Sequence, residues 1–270
     1  MFDRGVEIKT PAQIESMRSA GLVVAGALDV LRRSVRPGVT TAELDTIARD
    51  HIRSQGATSN FLGYHGFPGV ICTSVNDEVV HGIPGPRVLR DGDIISIDCG
   101  AIVDGWHGDA ATTVAVGEVP TEVTELMRVT EEALWQGIAA ASLGGRVSDI
   151  SHAVETSVDA AGEYGIVEGY TGHGIGSAMH QPPNVPNYGR PGRGHKLVKG
   201  LALAVEPMLT LGSSDTRTLA DDWTVVTSDG EWAAHYEHTF TLTDRGTWVL
   251  TAMDGGEARL AELGIPFGGH

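Results

Sequence analysis

Four acids stand where acids are costly. Asp98 ends the apolar strand 94–97, and Asp109 begins another strand after a Gly-rich connection, both within ISIDCGAIVDGWHGDAATTV. Glu206 ends five apolar residues in LALAVEPML, with Pro207 behind it. Glu237 lies in AHYEHTFTLT, where a period of two gives Thr239 and Thr241 the same face. Aspartate is depleted from strand interiors, and an unpaired buried carboxylate is expensive. Asp93 and Asp104 precede a turn or strand start and fit ordinary turn roles. A fifth residue, His173, stands between glycines in TGHGIGSAMH. Gly172, Gly174 and Gly176 disfavour a helix there and favour a tight backbone that aims side chains. Any one of these residues could be an ordinary buried or turn group; together they form a candidate cluster.

The chemistry of such a cluster is that of a metal site. Two aspartates and two glutamates carry four negative charges, which two divalent cations would balance. Carboxylates with one imidazole suit Mn, Fe(II), Co or Zn rather than a thiolate zinc site. Two ions a few ångströms apart can share bridging carboxylates and activate a water between them, which points to hydrolysis.

Several elements must position these residues. Thr10, Pro11 and Gln13 open a helix with a capping-box pattern, and Ile14, Met17, Val24, Leu28 and Leu31 give it an apolar stripe. Thr40 and Glu43 repeat the capping pattern before a second helix that stops at Gly56. A long helix ending at Gly144-Gly145 and a shorter one ending at Gly162 follow in the second half. The recurrence suggests an internal duplication. The segments VICTSVNDEVVHGIP, DIISIDCGAIVDGWHGDAATTVAV, LALAVEPML and WTVVTSDGEWAAHYEHTFTLT read as strands, with a hairpin signal at Asp229-Gly230. No low-complexity linker divides the chain, so one compact α+β unit of two interlocked halves is expected.

The 270 residues are 41% hydrophobic, enough for a substantial core. No apolar run approaches 18 residues, and the first residues lack a signal-peptide core, so no membrane partner is expected. Cys72 and Cys99 are the only cysteines and read as reduced thiols of a cytoplasmic protein. The net charge of −16 argues against nucleic-acid binding through a general basic surface. RPGRGHK, residues 190–196, is a local basic loop that reads as a solvated turn.

The ordered set VNDEVVHGIP, IDCGAIVDGWHGDAATT, GHGIG, VEPM and YEHT resembles type I methionine aminopeptidases, which have the pita-bread fold. The match runs from the first helix to about residue 250, and five motifs in order are far more specific than any one. The resemblance implies a single catalytic domain over 1–270. Its core would be a pita-bread fold over about 10–250, with two pseudo-symmetric halves and an antiparallel sheet covered by helices; residues 251–270 would be a tail. It implies a metallo-exopeptidase that removes the initiator methionine from nascent chains near the ribosome, preferring a small second residue. It also implies a cytoplasmic monomer.

The resemblance further implies residue roles. Asp98 would bind one of two divalent ions through both oxygens. Asp109 and Glu237 would bridge the ions, and His173 and Glu206 would hold the other. Glu206 would accept a proton from the attacking water. His81 would hydrogen-bond the reacting amide, and His180 would polarise the carbonyl or stabilise the oxyanion. Tyr64, Phe67, Cys72, Met179 and Trp223 would wall the methionine pocket. Phe67 stands where relatives often have Tyr, and Met179 where Phe is common; both keep the wall apolar. His51 and His152 read as helix-surface residues, while His65, His107 and His238 adjoin motif residues.

Two competing readings carry different expectations. Prolidases and proline-specific aminopeptidases share the ligand pattern but carry a sizeable domain before the catalytic half, and here the first helix begins near residue 10. Non-catalytic relatives lose ligands, whereas all five positions are filled here. His173 and His180 are seven apart, an odd count that would send them to opposite faces of a regular strand. With glycines between them, the chain can bend so that both reach one cavity, one toward metal and one toward substrate.

Overall fold

The computed structural model describes residues 5–270. Thr10 and Gln13 cap α1 (Pro11–Ser34) reciprocally, each side chain accepting from the other's backbone N–H. Thr40 and Glu43 do the same for α2 (Thr41–Ser54). The capping boxes expected from sequence are therefore both made, and each satisfies donors that a helix start leaves open. Then come β1 (Thr58–Ser59), β2 (Ile71–Val75), β3 (Glu78–Val80) and the long hairpin of β4 (Ile94–Val103) and β5 (Trp106–Ala115). The second half opens with α3 (Thr121–Ala140) and α4 (Val147–Ala161), the latter closed at Gly162. Shorter strands follow: β6 (Gly165–Ile166), β7 (Gly172–Gly174), β8 (Gln181–Val185), β9 (Ala202–Val205) and β10 (Met208–Thr210). The order ends with β11 (Thr216–Thr218), β12 (Val225–Thr227), β13 (Ala233–His235), β14 (Glu237–Leu242), β15 (Thr247–Val249) and α5 (Glu257–Glu262).

One antiparallel sheet dominates, with β4, β5, β14, β9 and β7 adjacent in that order. Its two faces have different compositions. Ile95, Ile97, Cys99 and Ala101 of β4 turn back onto Val24, Leu28 and Leu31 of α1 and Leu44, Ala48 and Ile52 of α2, forming one core. Leu203 and Val205 of β9 and Phe240 and Leu242 of β14 join Leu126, Val129, Leu134 and Ile138 of α3 in a second. Each half thus buries its own helix pair against the same sheet face, the layered solution for an α+β chain. α1 lies so close that a Cβ on Gly108 would come within 2.8 Å of the Gly21 nitrogen. The opposite face, where Asp98, Asp109 and Glu237 point, is left for the site.

Two local expectations need correction. Asp98 does not end its strand and Asp109 does not begin one; β4 runs on to Val103, the hairpin turns at Asp104-Gly105, and β5 starts at Trp106. Strand pairing with β2 and β5 on either side overrides the low strand propensity of the acid. The Asp229-Gly230 turn forms, but it does not close a hairpin. β12 pairs with β11 and β3, whereas β13 pairs with β10, so the turn passes the chain between two sheets.

Candidate functional site

The strand register sets the site. Cys72, Asp98, Ala111 and Glu237 lie in one row across β2, β4, β5 and β14. The same register carried one residue beyond β9 sets Glu206 opposite Glu237. The next row holds Gly100 and Asp109, then Thr239, whose hydroxyl donates to the Asp109 carbonyl oxygen at 2.8 Å. Because alternate strand residues share a face, five separate motifs converge on one patch.

Ligand atoms of Asp98, Asp109 and Glu237 all lie within 4.8 Å of one another, and so do those of His173, Glu206 and Glu237. Glu237 belongs to both groups. A third group joins Asp109, His173 and His180 at the same spacing. Asp98 Oδ1, Asp109 Oδ1 and Glu237 Oε1 are buried without hydrogen-bond partners. Desolvation pushes the Asp98 carboxyl up to about 7. Desolvation, followed by neighbouring carboxylates, raises Asp109, Glu206 and Glu237 well above their ordinary range. Crowded carboxylates with orphaned oxygens are the donor set a pair of hard or borderline cations would satisfy.

His173 has the geometry of a candidate ligand. Its Nδ1–H donates to the Gly174 carbonyl oxygen at 3.0 Å, which fixes the tautomer and frees Nε2. That Nε2 lies 3.5 Å from Glu206 Oε1. Burial holds the imidazole neutral, its pKa down at about 3. His180 stands at the exposed rim after the loop that leaves β7. Its ring centroid is 4.4 Å from that of His173, and its Nδ1 shares a 2.8 Å hydrogen bond with the Tyr64 hydroxyl. The bend at the glycines thus brings the two imidazoles into contact.

His81 approaches from another side. It holds a left-handed backbone, φ 60°, a conformation a non-glycine residue adopts at a cost and one found often at functional sites. Gly82 behind it is pressed on the chain, since a Cβ there would sit 2.2 Å from the Thr73 carbonyl oxygen. Burial, then the field of His180, brings the His81 imidazole down to about 4. Phe67, Cys72 and Met179 cluster, with Tyr64 and Trp223 packed on them, and Cys72 pairs across the strands with Asp98. Phe67 meets Trp223 edge-on at 5.0 Å.

Four residues of the site escaped the sequence reading. Phe61 and Ile83 belong to the same apolar cluster. Tyr170 meets His81 edge-on at 5.6 Å. His235 is 2% exposed, and its unpartnered Nε2 lies 4.0 Å from Glu206 Oε2. The period-two parity of His235 with Glu237 was the available signal. Of the histidines that adjoin motifs, His107 lies close enough to feel the field of His180. His238 points to the opposite face of β14, against Trp135. His65 is exposed beside Tyr64.

Residues 15–244 match the model of metallopeptidase family M24. A methionine aminopeptidase of Clostridium acetobutylicum is 52% identical over 248 residues, covering 92% of this chain and 99% of the relative. The crystal structure of a methionine aminopeptidase from Thermotoga maritima superposes with a TM-score of 0.90 at 42% identity, covering 92% of this chain and 99% of that one. A prolidase from Pyrococcus furiosus shares the fold, TM-score 0.74 at 19% identity, but this chain covers only 65% of it. The chain therefore belongs to metallopeptidase family M24 and, within that family, groups with the methionine aminopeptidases.

Proposed function

We propose that this chain removes the N-terminal methionine from peptides and nascent proteins, as a metal-dependent hydrolase. The observation that carries the reading is a carboxylate-lined floor directly beside an apolar pocket, joined through Cys72 and Asp98 in one strand pair. Asp98, Asp109 and Glu237 would hold one divalent ion; His173, Glu206 and the shared carboxylates Asp109 and Glu237 would hold a second. Such ions supply Lewis acidity and make a bound water a nucleophile near neutral pH.

The remaining steps fall to the chain. Phe61, Phe67, Cys72 and Met179 take the methionine side chain, which fits a small apolar enclosure. His81 hydrogen-bonds the reacting amide. His180, with its Nδ1 engaged by Tyr64, directs its other nitrogen to the carbonyl oxygen as charge develops there. Glu206 accepts the proton from the attacking water and passes it to the leaving amine as the C–N bond breaks. Tyr64 and His180 crowd the rim, which favours a small residue after the methionine. No helix among the described residues is long and apolar enough to cross a membrane. The enzyme works on polypeptide N-termini in the cytoplasm, as a monomer and without binding nucleic acid itself.

The test is turnover of Met-Ala-Ser against a matched X-Pro dipeptide, with Co, Mn, Fe(II) or Zn added to protein stripped by chelator, and calorimetric counting of bound ions. Methionine release restored by at least one metal, with two binding events, is the expected result. Preferential X-Pro cleavage, or no release with any metal by folded protein, would overturn it.

A further inference from the structure

The site described so far does not use the first described segment of the chain, yet residues 7–9 grip the loop that carries His180. Ile8 bridges antiparallel to Leu201, and the Lys9 N–H donates to the Gly200 carbonyl oxygen at 2.8 Å. This ties the segment to the chain that enters β9 and leads on to Glu206. From there the Glu7 side chain reaches across. Its Oε2 accepts from the Ser177 backbone N–H at 3.0 Å and from the Gln181 side-chain amide at 3.0 Å. One carboxylate thus holds both ends of the five-residue stretch 177–181, and Met179 and His180 lie between the two contacts.

Two further observations separate this from an ordinary surface carboxylate. The Lys9 side chain is 1% exposed, and its ammonium donates to the Glu7 carbonyl oxygen at 3.1 Å while lying 3.6 Å from Oε2. A buried ammonium is costly without a counter-charge, so Glu7 and Lys9 hold each other in place. Gly176 is pressed onto this pair: a Cβ there would lie 2.1 Å from Glu7 Oε2 and 2.3 Å from Lys9 Cε. From the other side the His107 N–H donates to the Gly176 carbonyl oxygen at 3.0 Å. Beyond these contacts, the Ile175 N–H donates to the Ala202 carbonyl oxygen at 3.2 Å and the Gly176 N–H to the Ala178 carbonyl oxygen at 3.1 Å, so Glu7 supplies the charged contacts to 177–181 within a loop whose start is already held.

We infer that Glu7 is a positioning residue that sets His180 and Met179 against the substrate, an inference that rests on the substrate role proposed above for His180. A hydrogen bond to an ionised acceptor is roughly twice as strong as a neutral one, and an error of about 1 Å in a catalytic group can cost roughly a hundredfold in rate. His173 lies outside the grip, held in β7 between β8 and β9. Loosening Glu7 therefore misplaces the substrate-facing histidine while leaving the metal-facing one in register.

The test compares Glu7→Ala, Glu7→Gln, His180→Ala and the Glu7→Ala/His180→Ala double variant in the full-length, metal-loaded enzyme on Met-Ala-Ser. Glu7→Ala lowers kcat at least tenfold, with calorimetric metal affinity within twofold of the parent. Glu7→Gln, which keeps an acceptor for the Ser177 N–H, recovers most of that loss. In the His180→Ala background the Glu7→Ala change costs less than twofold. Hydrogen exchange of the Ser177 amide quickens in Glu7→Ala while exchange in β9 does not. An equal loss from Glu7→Ala with and without His180, or metal affinity falling in step with kcat, overturns the inference while leaving the role of His180 intact. Parent-like turnover by His180→Ala overturns that role and the inference with it.

Discussion

Asp98 and Glu237 both face Ala111, one from each side. Asp98 pairs with Ala111 across β4 and β5, and Glu237 pairs with the same Ala111 across β5 and β14. The methyl group at the centre is 4% exposed. A larger side chain there would stand between the two carboxylates. Ala111→Leu is expected to lower divalent-metal affinity at least tenfold. Overpacking of this kind costs about 1–3 kcal/mol of stability, so the fold should survive. Calorimetric metal titration with a thermal melt checks this; unchanged metal affinity would show that the centre does not lie over Ala111.

Glu206 sits beyond the end of β9, followed by a proline that interrupts the strand. It is the acid proposed above both to accept a proton and to hold an ion. Glu206→Gln keeps its size and removes its basicity. A lost general base costs about 10²–10⁴ in rate, so kcat should fall by that order while the fold persists. Stopped assays paired with a measurement of bound metal decide: if kcat falls only in proportion to lost metal, Glu206 is a ligand alone.

Much of this centre is legible in the sequence because acids in apolar strands are anomalies that demand a partner. Asp98, Asp109, Glu206 and Glu237 each break the local pattern. The apolar wall is not legible in the same way. Phe61 and Ile83 look like core residues, and only the packing shows that they turn toward Cys72. His235 sits in a strand motif, but its approach to Glu206 depends on how β13 and β9 meet. The Asp-Gly turn at 229–230 was read correctly as a turn and incorrectly as a hairpin. Local chemistry specifies the bend but not the sheet that each flanking strand joins.

His173 and His180 are close enough that division of labour between them needs a direct test. Their rings are 4.4 Å apart, and His180 also reaches the neighbourhood of Asp109. The Nδ1 of His173 is committed to Gly174 and that of His180 to Tyr64. His173→Ala is expected to lower metal affinity and kcat together. His180→Ala is expected to lower kcat by about 10²–10³, the cost of an oxyanion donor, with metal affinity within about threefold. Equal metal loss in both variants would make His180 a ligand.

Met179, 3% exposed, packs against Phe61, Phe67 and Cys72, the cluster proposed to take the methionine side chain. Met179→Ala opens space beside the substrate side chain. Release of a bulkier apolar first residue, such as leucine, should rise relative to methionine. One methylene in an apolar pocket is worth about 1–3 kcal/mol, so the ratio of kcat/KM values should shift roughly tenfold or more. A ratio that does not move would place the methionine side chain elsewhere.

The crowded carboxylates also fix how metal-free protein responds to pH. Asp98, Asp109, Glu206 and Glu237 all have folded pKa values raised by desolvation, that of Asp98 to about 7. A group raised in this way favours the folded state most below its unfolded pKa, near 4 for a carboxyl, and loses that contribution as pH rises through the folded value. The buried histidines act in the opposite sense. His81 and His173, at about 4 and 3, oppose folding in acid and stop doing so once pH passes the unfolded value near 6.5. Between pH 7 and 8 the unfolded histidines lose only their last charge, and Lys9, which burial holds at about 8, begins to lose its own; both changes favour folding as pH rises, and the four raised carboxylates outweigh them. Metal-free protein should therefore melt at a lower temperature at pH 8 than at pH 7. Bound divalent ions neutralise the cluster and should abolish most of that difference. Melting curves at the two pH values, with chelator and with saturating Mn, provide the check; a metal-free melting temperature that holds or rises from pH 7 to 8 would mean that the four acids do not share one desolvated site.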